Sequence, residues 1–390
     1  MKTNQLQKNI STGWQSKTLG DFLSKLEGGG TPSKDNSDYW NGSIPWSSVK
    51  DVVTHNPDDT QDHISELGLK NSSSRLVSKG TLIVPTRMAL GHAVVFNVDV
   101  AINQDLKALY PKKDLLNKYL FYWFLFKKEF IERLGSGSTV SGIQQNELKR
   151  IKFNLPSLPE QNRIVSVLET WDKNIEKLNK KIEIKKQIKK GLMQDLLTGK
   201  KRLTGFKNKW EIVKFGNLII NQEKTGRASG ASLDEGKYPF FNNSSKGFDQ
   251  YLNEFDFDGE MLIANTGGAA YFDYYFGKFA TMSDNFVFST KQNCKFLFYN
   301  LKKLESLINH KGFAGSGIKH LDKKFFFKLK IELPSIKEQD AIANILTTAD
   351  KEITELENKL SIIKDQKKFL LNNLITGVIR TPENLSINIK

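Results

Sequence analysis

Cysteine is nearly absent from this chain, since Cys294 is the single cysteine among 390 residues. A lone cysteine excludes an internal disulfide framework and a cysteine-rich metal site. Apolar runs long enough to span a bilayer are also missing, and the polar stretch from Met1 to Gln15 has no apolar signal core. We therefore predict a soluble protein of the reducing cytoplasm.

Motifs for chemistry are scarce as well. The sequence has no phosphate-binding Walker loop, no His-Glu-x-x-His and no Gly-x-Ser-x-Gly. Its five histidines lack metal-ligand spacing, and Gly28-Gly29-Gly30-Thr31 lacks the lysine of a phosphate loop. Residues 313–317 fit the Phe-x-Gly-x-Gly pattern of amino-methyltransferases, but their Asn/Asp-Pro-Pro-aromatic partner motif is missing because no two prolines are adjacent. We predict no catalytic residue, no metal and no cofactor in this chain.

Basic residues are in excess. The chain carries 58 lysines and arginines against 43 aspartates and glutamates, a formal net charge of +15 at pH 7. Such an excess attracts polyanions and speeds encounter with them, but many lysine-rich proteins bind nothing acidic. Charge alone therefore leaves nucleic-acid binding open.

An internal repeat organises the sequence. Leu-Pro-Ser-Leu-Pro-Glu-Gln at 155–161 returns as Leu-Pro-Ser-Ile-Lys-Glu-Gln at 333–339, 178 positions later, and the Leu-Thr-Gly at 197–199 returns as Ile-Thr-Gly at the same offset. Upstream the match is looser: Ile-Asn-Gln-Asp-Leu at 102–106 resembles Met-Ser-Asp-Asn-Phe at 282–286, and Trp14 matches Trp210. Two copies of one unit fill nearly the whole chain. A constant scaffold carrying two variable parts is the simplest interpretation, and divergent duplication without functional meaning is the alternative.

The constant part of each copy predicts a long helix. Leu-Pro-Ser ends the preceding segment, and Ser157 with Glu160, like Ser335 with Glu338, fits the Ser-x-x-Glu capping box. Thr-Gly at 198–199 and 376–377 supplies the stop. About 38 residues give roughly 57 Å of helix.

Apolar residues at alternating spacings of three and four predict that these helices pair as a coiled coil. The first helix must reach the second variable part and the second must return, so we expect an antiparallel pair. Lysines at 185, 189 and 367 interrupt the pattern. The predicted spacer and docking positions are Leu168, Trp171, Ile175, Leu178, Ile182, Leu346, Ile353, Leu356 and Leu360.

The variable parts, residues 14–155 and 210–334, predict an α+β fold. Short apolar runs at 81–85, 93–96, 261–264 and 285–290 predict strands. Aromatic-rich stretches at 115–134 and 296–310 predict one buried helix in each part.

Loops in the variable parts are rich in side chains that bind DNA bases. Asn and Gln pair with adenine, and Arg and Lys with guanine, although Asn, Ser and Gly are also ordinary turn residues. The candidate DNA-binding residues are Thr31, Ser33, Lys34, Arg87, Ser138, Thr139, Gln144, Gln145, Arg227, Asn242, Asn243, Ser244, Lys246 and Lys319.

Taken together, these features resemble the specificity subunit of type I restriction-modification systems. The resemblance rests on Leu-Pro-x-x-x-Glu-Gln opening a long helix that ends in Leu-x-Thr-Gly, twice, each time after a variable domain. Gly-Gly-Thr-Pro-Ser at 29–33 followed by Tyr-Trp-Asn-Gly-Ser-Ile-Pro-Trp at 39–46 also looks like the opening of such recognition domains.

The resemblance implies a non-catalytic subunit with two similar target-recognition domains linked by two long antiparallel coiled-coil helices in a pseudo-two-fold repeat. Each domain would recognise one half of a bipartite, asymmetric DNA site. Two methyltransferase subunits would dock on the helices, and restriction–translocase subunits would join them. S-adenosylmethionine, ATP and Mg²⁺ would belong to those partners. The expected divisions are 1–155, first recognition domain; 156–200, central spacer; 201–334, second recognition domain; 335–378, C-terminal spacer; and 379–390, tail.

Two other functions stay open from the residues alone. The first is a stand-alone DNA adenine methyltransferase, which S-adenosylmethionine binding would favour and the missing Asn-Pro-Pro-aromatic motif disfavours. The second is a coiled-coil scaffold that binds protein and no DNA.

Overall fold

A computed structural model describes residues 13–135, 142–223, 225, 227–242, 247–315 and 319–385. The chain forms two compact units. The first combines the chain up to Lys177 with the chain from Ser361 onward, and the second comprises Leu178–Leu360. The first unit is therefore built from two separate segments of sequence.

The first unit is an α+β structure in which three small sheets carry the variable part. The order is β1-β10 in one sheet, β2-β9-β6-β7 in the second and β4-β3-β8-β5 in the third. Within the third sheet, β3 and β8 run parallel, with Trp46 beside Ala101 and Ser47 beside Ile102. The strands are β1 Gln15–Thr18, β2 Leu23–Gly28, β3 Trp40–Ser47, β4 Asp62–Ile64, β5 Arg75–Val77, β6 Leu82–Pro85, β7 Val94–Val95, β8 Val100–Ile102, β9 Leu106–Pro111 and β10 Lys152–Leu155.

The core of this unit lies on both faces of β6. Because successive strand side chains point to opposite faces, Leu82 and Val84 join one apolar cluster and Ile83 joins the other. The aromatic helix α3 packs against the first cluster through Tyr119 and Trp123. The helices are α1 Val49–Val53, α2 Glu66–Lys70, α3 Asn117–Leu134 and α4 Gln145–Arg150, with short 3₁₀ turns at Leu19–Phe22 and Ser37–Tyr39.

Both long helices are confirmed. Helix α5 spans Leu158–Leu196 (39 residues), and it begins in the first unit and ends in the second. Its predicted glycine stop is also confirmed, because Gly199 has a left-handed φ of 63°.

The second unit has one larger sheet of order β12-β17-β15-β16-β13-β14. Most neighbours are antiparallel, but β13 and β16 run parallel, with Phe240 beside Ala280. Leu262 and Phe288 face one apolar cluster, and Ile263 faces the opposite one. The strands are β11 Glu211–Lys214, β12 Ile219–Asn221, β13 Tyr238–Phe241, β14 Gln250–Leu252, β15 Phe257–Asn265, β16 Phe272–Thr281, β17 Asn285–Thr290, β18 Phe313–Ala314, β19 His320–Leu321 and β20 Lys330–Leu333.

Three helices complete the described chain. They are α6 Cys294–Lys311, α7 Lys323–Lys328 and α8 Ile336–Thr376 (41 residues), with 3₁₀ turns at Phe215–Asn217 and Ser229–Ala231. Helix α8 begins in the second unit, ends in the first and is followed by Gly377 at a φ of 75°. The predicted aromatic helices of the variable parts correspond to α3 and α6.

The antiparallel pairing of α5 and α8 is confirmed inside each unit. In the first unit Leu168, near the start of α5, shares its apolar cluster with Leu374 near the end of α8. In the second unit Leu196, at the end of α5, shares a cluster with Ile342 and Leu346 near the start of α8. The start of each helix therefore packs against the end of the other.

Among the predicted strands, the run at 285–290 is confirmed to the residue as β17. The run at 81–85 corresponds to β6, which starts one residue later. The run at 93–96 shortens to β7, two residues long, and that at 261–264 is the inner part of the nine-residue β15.

The predicted capping boxes are wrong. Gln161 donates its backbone N–H to the backbone carbonyl of Ser157, and Glu338 donates its own to that of Ser335. The carboxylates of Glu160 and Glu338 instead accept hydrogen bonds from distant tryptophan and arginine side chains. Long-range partners satisfy these carboxylates in place of the local backbone amides.

Candidate nucleic-acid interface

In the first unit, the loops that follow the parallel strands β3 and β8 meet at one edge of the sheet. The carboxyl ends of parallel strands lie together, and loops at such an edge form ligand-binding crevices. Asn103 donates its backbone N–H to the carbonyl of Ser47 at 3.1 Å, which joins the two loops. A cavity of about 720 Å³ opens here; its lining includes Thr31, Lys34, Trp40, Trp46, Ser48, Lys50, Asp62, Met88, Asn103, Gln104 and Asp105.

The glycines that precede Thr31 are required by close packing. A Cβ on Gly29 would lie 1.8 Å from the carbonyl oxygen of Ile102, and one on Gly30 would lie 1.9 Å from Ser73 Oγ. Gly30 also donates its N–H to the Ile102 carbonyl at 3.1 Å. This close approach holds Thr31 beside Gln104, whose Oε1 accepts a hydrogen bond from Thr31 Oγ1 at 2.7 Å.

A strained loop after β6 adds Arg87 to the same edge. Met88 and Ala89 have left-handed φ values of 51° and 35°, a conformation that costs energy for residues other than glycine and is concentrated at functional sites. The side chain of Arg87 is 65% exposed and lies 3.9 Å from the carboxylate of Asp105. Most of its hydrogen-bonding capacity therefore faces solvent.

Lys107 stabilises the loop that follows β8. Its Nζ donates to the backbone carbonyl of Gln104 at 2.8 Å. Burial lowers the pKa of Lys107, Asp105 raises it and Arg87 lowers it further. The lysine thus anchors the loop that carries Gln104.

The second unit has the equivalent edge after β13 and β16, with different side chains. Met282 donates its N–H to the Phe241 carbonyl as Asn103 does to that of Ser47, so Ser283 stands at the place of Gln104 and Asp284 at that of Asp105. Asn242 donates to Gln250 Oε1 at 2.6 Å. Arg227 donates to Asp256 at 2.7 Å, and this bond raises the pKa of the guanidinium. Arg227 is therefore engaged inside the unit.

The other predicted DNA-binding residues are dispersed. Ser33 and Lys34 are exposed near the cavity, whereas Gln144 caps α4 by a reciprocal box with Glu147, and Gln145 is the first residue of that helix. Lys319 is exposed, and its carbonyl accepts from Gly268 N. Five candidates lie outside the described residues: Ser138, Thr139, Asn243, Ser244 and Lys246.

The sequence analysis did not identify Gln104, Met88 and Lys50, which line the cavity. Gln104 lies in a three-residue loop rather than in a Ser- or Asn-rich cluster. Its signal was the repeat itself, because Asn-Gln-Asp at 103–105 aligns with Ser-Asp-Asn at 283–285 and differs from it at every position.

Where the first unit joins its two chain segments, a tryptophan and an arginine bind the carboxylate of a buried glutamate. Trp14 Nε1 donates to Glu160 at 3.0 Å, and Arg380 Nη2 donates to the same carboxylate at 2.7 Å. The guanidinium also stacks 5.6 Å from the Trp14 ring. The glutamate that opens α5 is thereby held by the residue that follows α8.

The second unit repeats this contact. Trp210 Nε1 donates to Glu338 at 3.1 Å, and Arg202 donates to both carboxylate oxygens at 2.7 and 2.8 Å. Arg202 follows α5, and Glu338 lies near the start of α8. The repeated Glu of the Leu-Pro-x-x-x-Glu-Gln motif is therefore structural.

The lysines that interrupt the predicted seam are paired rather than loosely packed. In the first unit Lys367 bonds to Asp172, which also accepts from the Tyr122 hydroxyl at 2.7 Å. Burial and this bond raise the pKa of Tyr122. The equivalent set in the second unit is Lys189, Asp350 and Tyr299, beside a further pair of Lys185 with Glu352.

The predicted seam positions face inward, while other apolar residues of the long helices face outward. Ile184 and Ile188 are exposed in the second unit, as are Ile362 and Phe369 in the first. Of the predicted positions, Leu168, Ile182, Leu346 and Ile353 are buried, and Trp171, Ile175, Leu178, Leu356 and Leu360 are half-buried.

One family model, described as "Type I restriction modification DNA specificity domain", matches residues 11–186 and again residues 207–364. The chain belongs to this family. Its two copies of the domain account for the internal repeat.

Individual relatives of the chain are specificity subunits of the same family. The type I restriction enzyme MjaIX specificity subunit of Methanocaldococcus jannaschii is 30% identical over 184 residues, 46% of this chain and 42% of the relative. The EcoR124I/EcoR124II specificity subunit of Escherichia coli is 34% identical over 163 residues, 40% of each chain. The chain thus matches about two fifths of the length of these two relatives.

A solved structure shares the fold. The crystal structure of a type I restriction-modification system S subunit from M. genitalium superimposes with a TM-score of 0.65 at 18% identity, covering 94% of this chain and 96% of that one. This likeness establishes the α+β fold with two similar domains and long helices.

The weak methyltransferase pattern gains no support. Phe313 and Ala314 form β18, which pairs with β19, and residues 316–318 lie outside the described part of the chain. Over the ranges that the structure describes, no three His, Cys, Asp or Glu are grouped to hold a metal ion. None of the helices in those ranges is long and apolar enough to span a bilayer.

Proposed function

We propose that this chain is the non-catalytic DNA-recognition subunit of a type I restriction-modification complex. The observation that carries the proposal is that one specificity-domain model matches the chain twice, while equivalent loop ends differ, with Gln104 in one unit and Ser283 in the other. Unlike domains suit an asymmetric bipartite site, each domain binding one half. Residues 1–155 and 201–334 are the recognition domains, 156–200 and 335–378 the spacers and 379–390 the tail.

The long helices are the proposed docking surface for two methyltransferase subunits. Their seams are already filled, yet Ile184, Ile188, Ile362 and Phe369 remain exposed. Exposed apolar side chains on otherwise charged helices favour a protein partner. Restriction–translocase subunits complete the complex in the cytoplasm. S-adenosylmethionine, ATP and Mg²⁺ are bound by these partners.

Affinity for DNA would come largely from phosphate contacts of a chain with net charge +15. Neutralised phosphates release counterions, so binding weakens steeply with salt. Base contacts from the loop ends would then select the sequence.

Exchange of residues 210–334 for the corresponding part of another specificity subunit tests this function. We expect one half of the methylated site to change and the other to persist, as measured by methylome sequencing of cells carrying the chimera and its methyltransferase. The reciprocal exchange of residues 14–155 is the control and should alter the opposite half. Change of both halves in one chimera would refute modular recognition.

Insertion of four residues after Lys185 tests the spacer role. It lengthens α5 by about 6 Å, and we expect the gap between the half-sites to change while both half-sites stay the same. The same insertion after the exposed Glu383 should leave the gap unaltered. Methylome sequencing gives both results, and an unchanged gap after Lys185 insertion contradicts the spacer role.

A further inference from the structure

The loop after β8 offers hydrogen-bond donors to solvent while its neighbouring acceptors are engaged. Gln104 Oε1 accepts from Thr31. Asn103 Oδ1 accepts from the backbone of Asp105, and Asn103 Nδ2 donates to the Asp105 carboxylate at 3.3 Å. Within the described part of the chain, the Gln104 Nε2 amide has no protein acceptor and is exposed. Two N–H groups therefore face the cavity.

The charged side chains around Gln104 also favour a ligand that accepts hydrogen bonds. Arg87 and Lys34 are exposed at this edge, and guanidinium and ammonium groups are donors without acceptor capacity. Asp62 also lines the cavity and has no ion-pair partner among the residues that the structure describes; it lies on β4, which β3 separates from β8. Two strand spacings amount to about 10 Å, so Asp62 belongs to the far wall.

The amide of Gln104 is also held in place before any ligand arrives. Thr31 fixes its oxygen, Lys107 fixes its backbone carbonyl, and the close packing of Gly29 against Ile102 fixes Thr31. A donor group held in its bound orientation loses little entropy on binding. Such rigidity favours selection of a particular hydrogen-bonding edge over general attraction.

We infer that Gln104, oriented by Thr31 and flanked by Arg87, recognises the N7 and O6 acceptors of a guanine in the half-site bound by the first unit. This inference rests on the proposed function. In the major groove guanine shows two adjacent acceptors, whereas adenine shows one acceptor and one donor. Because the exposed Arg87 and Lys34 beside Gln104 only donate hydrogen bonds, this edge offers more donors than acceptors and matches guanine better than adenine.

The second unit supplies a matched contrast. At the equivalent position Ser283 is half-buried and carries a short hydroxyl, which both donates and accepts hydrogen bonds. Its backbone N–H donates to the carbonyl of Arg227 at 3.0 Å. This side chain does not reproduce the two amide N–H groups of Gln104, so the two half-sites should differ at the equivalent base.

Methylome sequencing of cells carrying the full chain with its methyltransferase first defines the bipartite site. Gln104→Ala should then make one guanine in one half-site degenerate, and Gln104→Glu should replace it by a base with an exposed amino group. Thr31→Val should partly relax the same position. Ser283→Ala is the control and should leave that guanine unchanged. The unaltered half in each variant reports that the chain is folded.

Binding to synthetic duplexes separates a base contact from a phosphate contact. Replacing that guanine by 7-deazaguanine should weaken binding of the native complex roughly tenfold and leave the Gln104→Ala complex unaffected. If only a methylphosphonate at the neighbouring phosphate weakens binding, Gln104 contacts the backbone and the inference is wrong.

The remaining outcomes are also decisive. If the native chain directs methylation of a bipartite site but the Gln104 variants leave both halves unchanged, the inference fails and the proposed function stands. A native chain that directs no bipartite methylation overturns both.

Discussion

The two compact units share their scaffold contacts and differ at their loop ends. Glu160 and Glu338 each accept from one tryptophan and one arginine. At the carboxyl ends of the parallel strands, by contrast, Gln104 stands where the second unit has Ser283. Buried polar contacts demand specific partners, whereas an exposed loop end is free to vary. The repeat is therefore most faithful at these buried contacts and least faithful at the loop ends that we propose to contact DNA.

The repeated contacts differ in the exposure of their arginines. The Arg202 side chain is 27% exposed and Arg380 is 44% exposed. Arg202 also donates to the backbone carbonyl of Asn208 at 2.9 Å. Arg202 is thus the more buried arginine and has one further acceptor, so we use the two arginines as a graded test of the scaffold.

Arg202→Ala should have the largest effect of the substitutions considered. It leaves the buried carboxylate of Glu338 with Trp210 as its remaining side-chain partner, and loss of one partner of a buried ion pair costs about 3 kcal/mol. Hydrogen exchange should show faster opening of the second unit. Equal protection in the variant and the native chain contradicts this expectation.

Arg380→Ala should destabilise the first unit by a smaller amount, about 1–2 kcal/mol, because Arg380 is the more exposed arginine of the two. The same hydrogen-exchange measurement applies, now with the second unit as the internal control. A larger loss than for Arg202→Ala would reverse the ranking drawn from exposure.

Lys189→Met and Lys367→Met should have similar, modest effects of about 1 kcal/mol, since partly exposed ion pairs contribute little. Each removes one partner of an aspartate, Asp350 or Asp172, that also binds a tyrosine. Urea unfolding of the two variants measures the difference. A loss that is severalfold greater in one variant would show that the pairs are not equivalent.

The rate at which the Cys294 thiol is alkylated should report the smallest and most local change. It lies buried at the start of α6, and burial raises the pKa of its thiol to about 12. Because alkylation needs the thiolate, iodoacetamide should label the native chain very slowly at pH 8 and label it rapidly after denaturation. Arg202→Ala should speed labelling and Arg380→Ala should not. Fast labelling of the native chain at pH 8 would contradict the burial.

The long helices were predictable because their evidence is local and repeated. Apolar residues at spacings of three and four, together with the repeated Leu-Pro-Ser and Thr-Gly, placed α5 and α8 within two residues of their ends. The capping boxes failed because the partners of Glu160 lie 146 and 220 residues away. Local patterns carry no information about such partners.

The candidate site was predicted only in part. Arg87 was identified from its loop and lies at the cavity edge, but Gln104 required knowledge that β3 and β8 run parallel. Arg227 looked equally suitable in sequence, yet Asp256, 29 residues away, engages it. Tertiary pairing decides which basic side chains remain available.

The division of the first unit between two chain segments affects the order in which the protein can mature on the ribosome. Glu160 is made 220 residues before Arg380, which at about 5–20 residues per second amounts to roughly 10–45 s of synthesis. The contiguous Leu178–Leu360 segment is complete before that arginine exists. The first unit is therefore translated first but completed last. Until the end of α8 has been made, the part of α5 that packs against it stays exposed, and a nascent-chain chaperone could bind there.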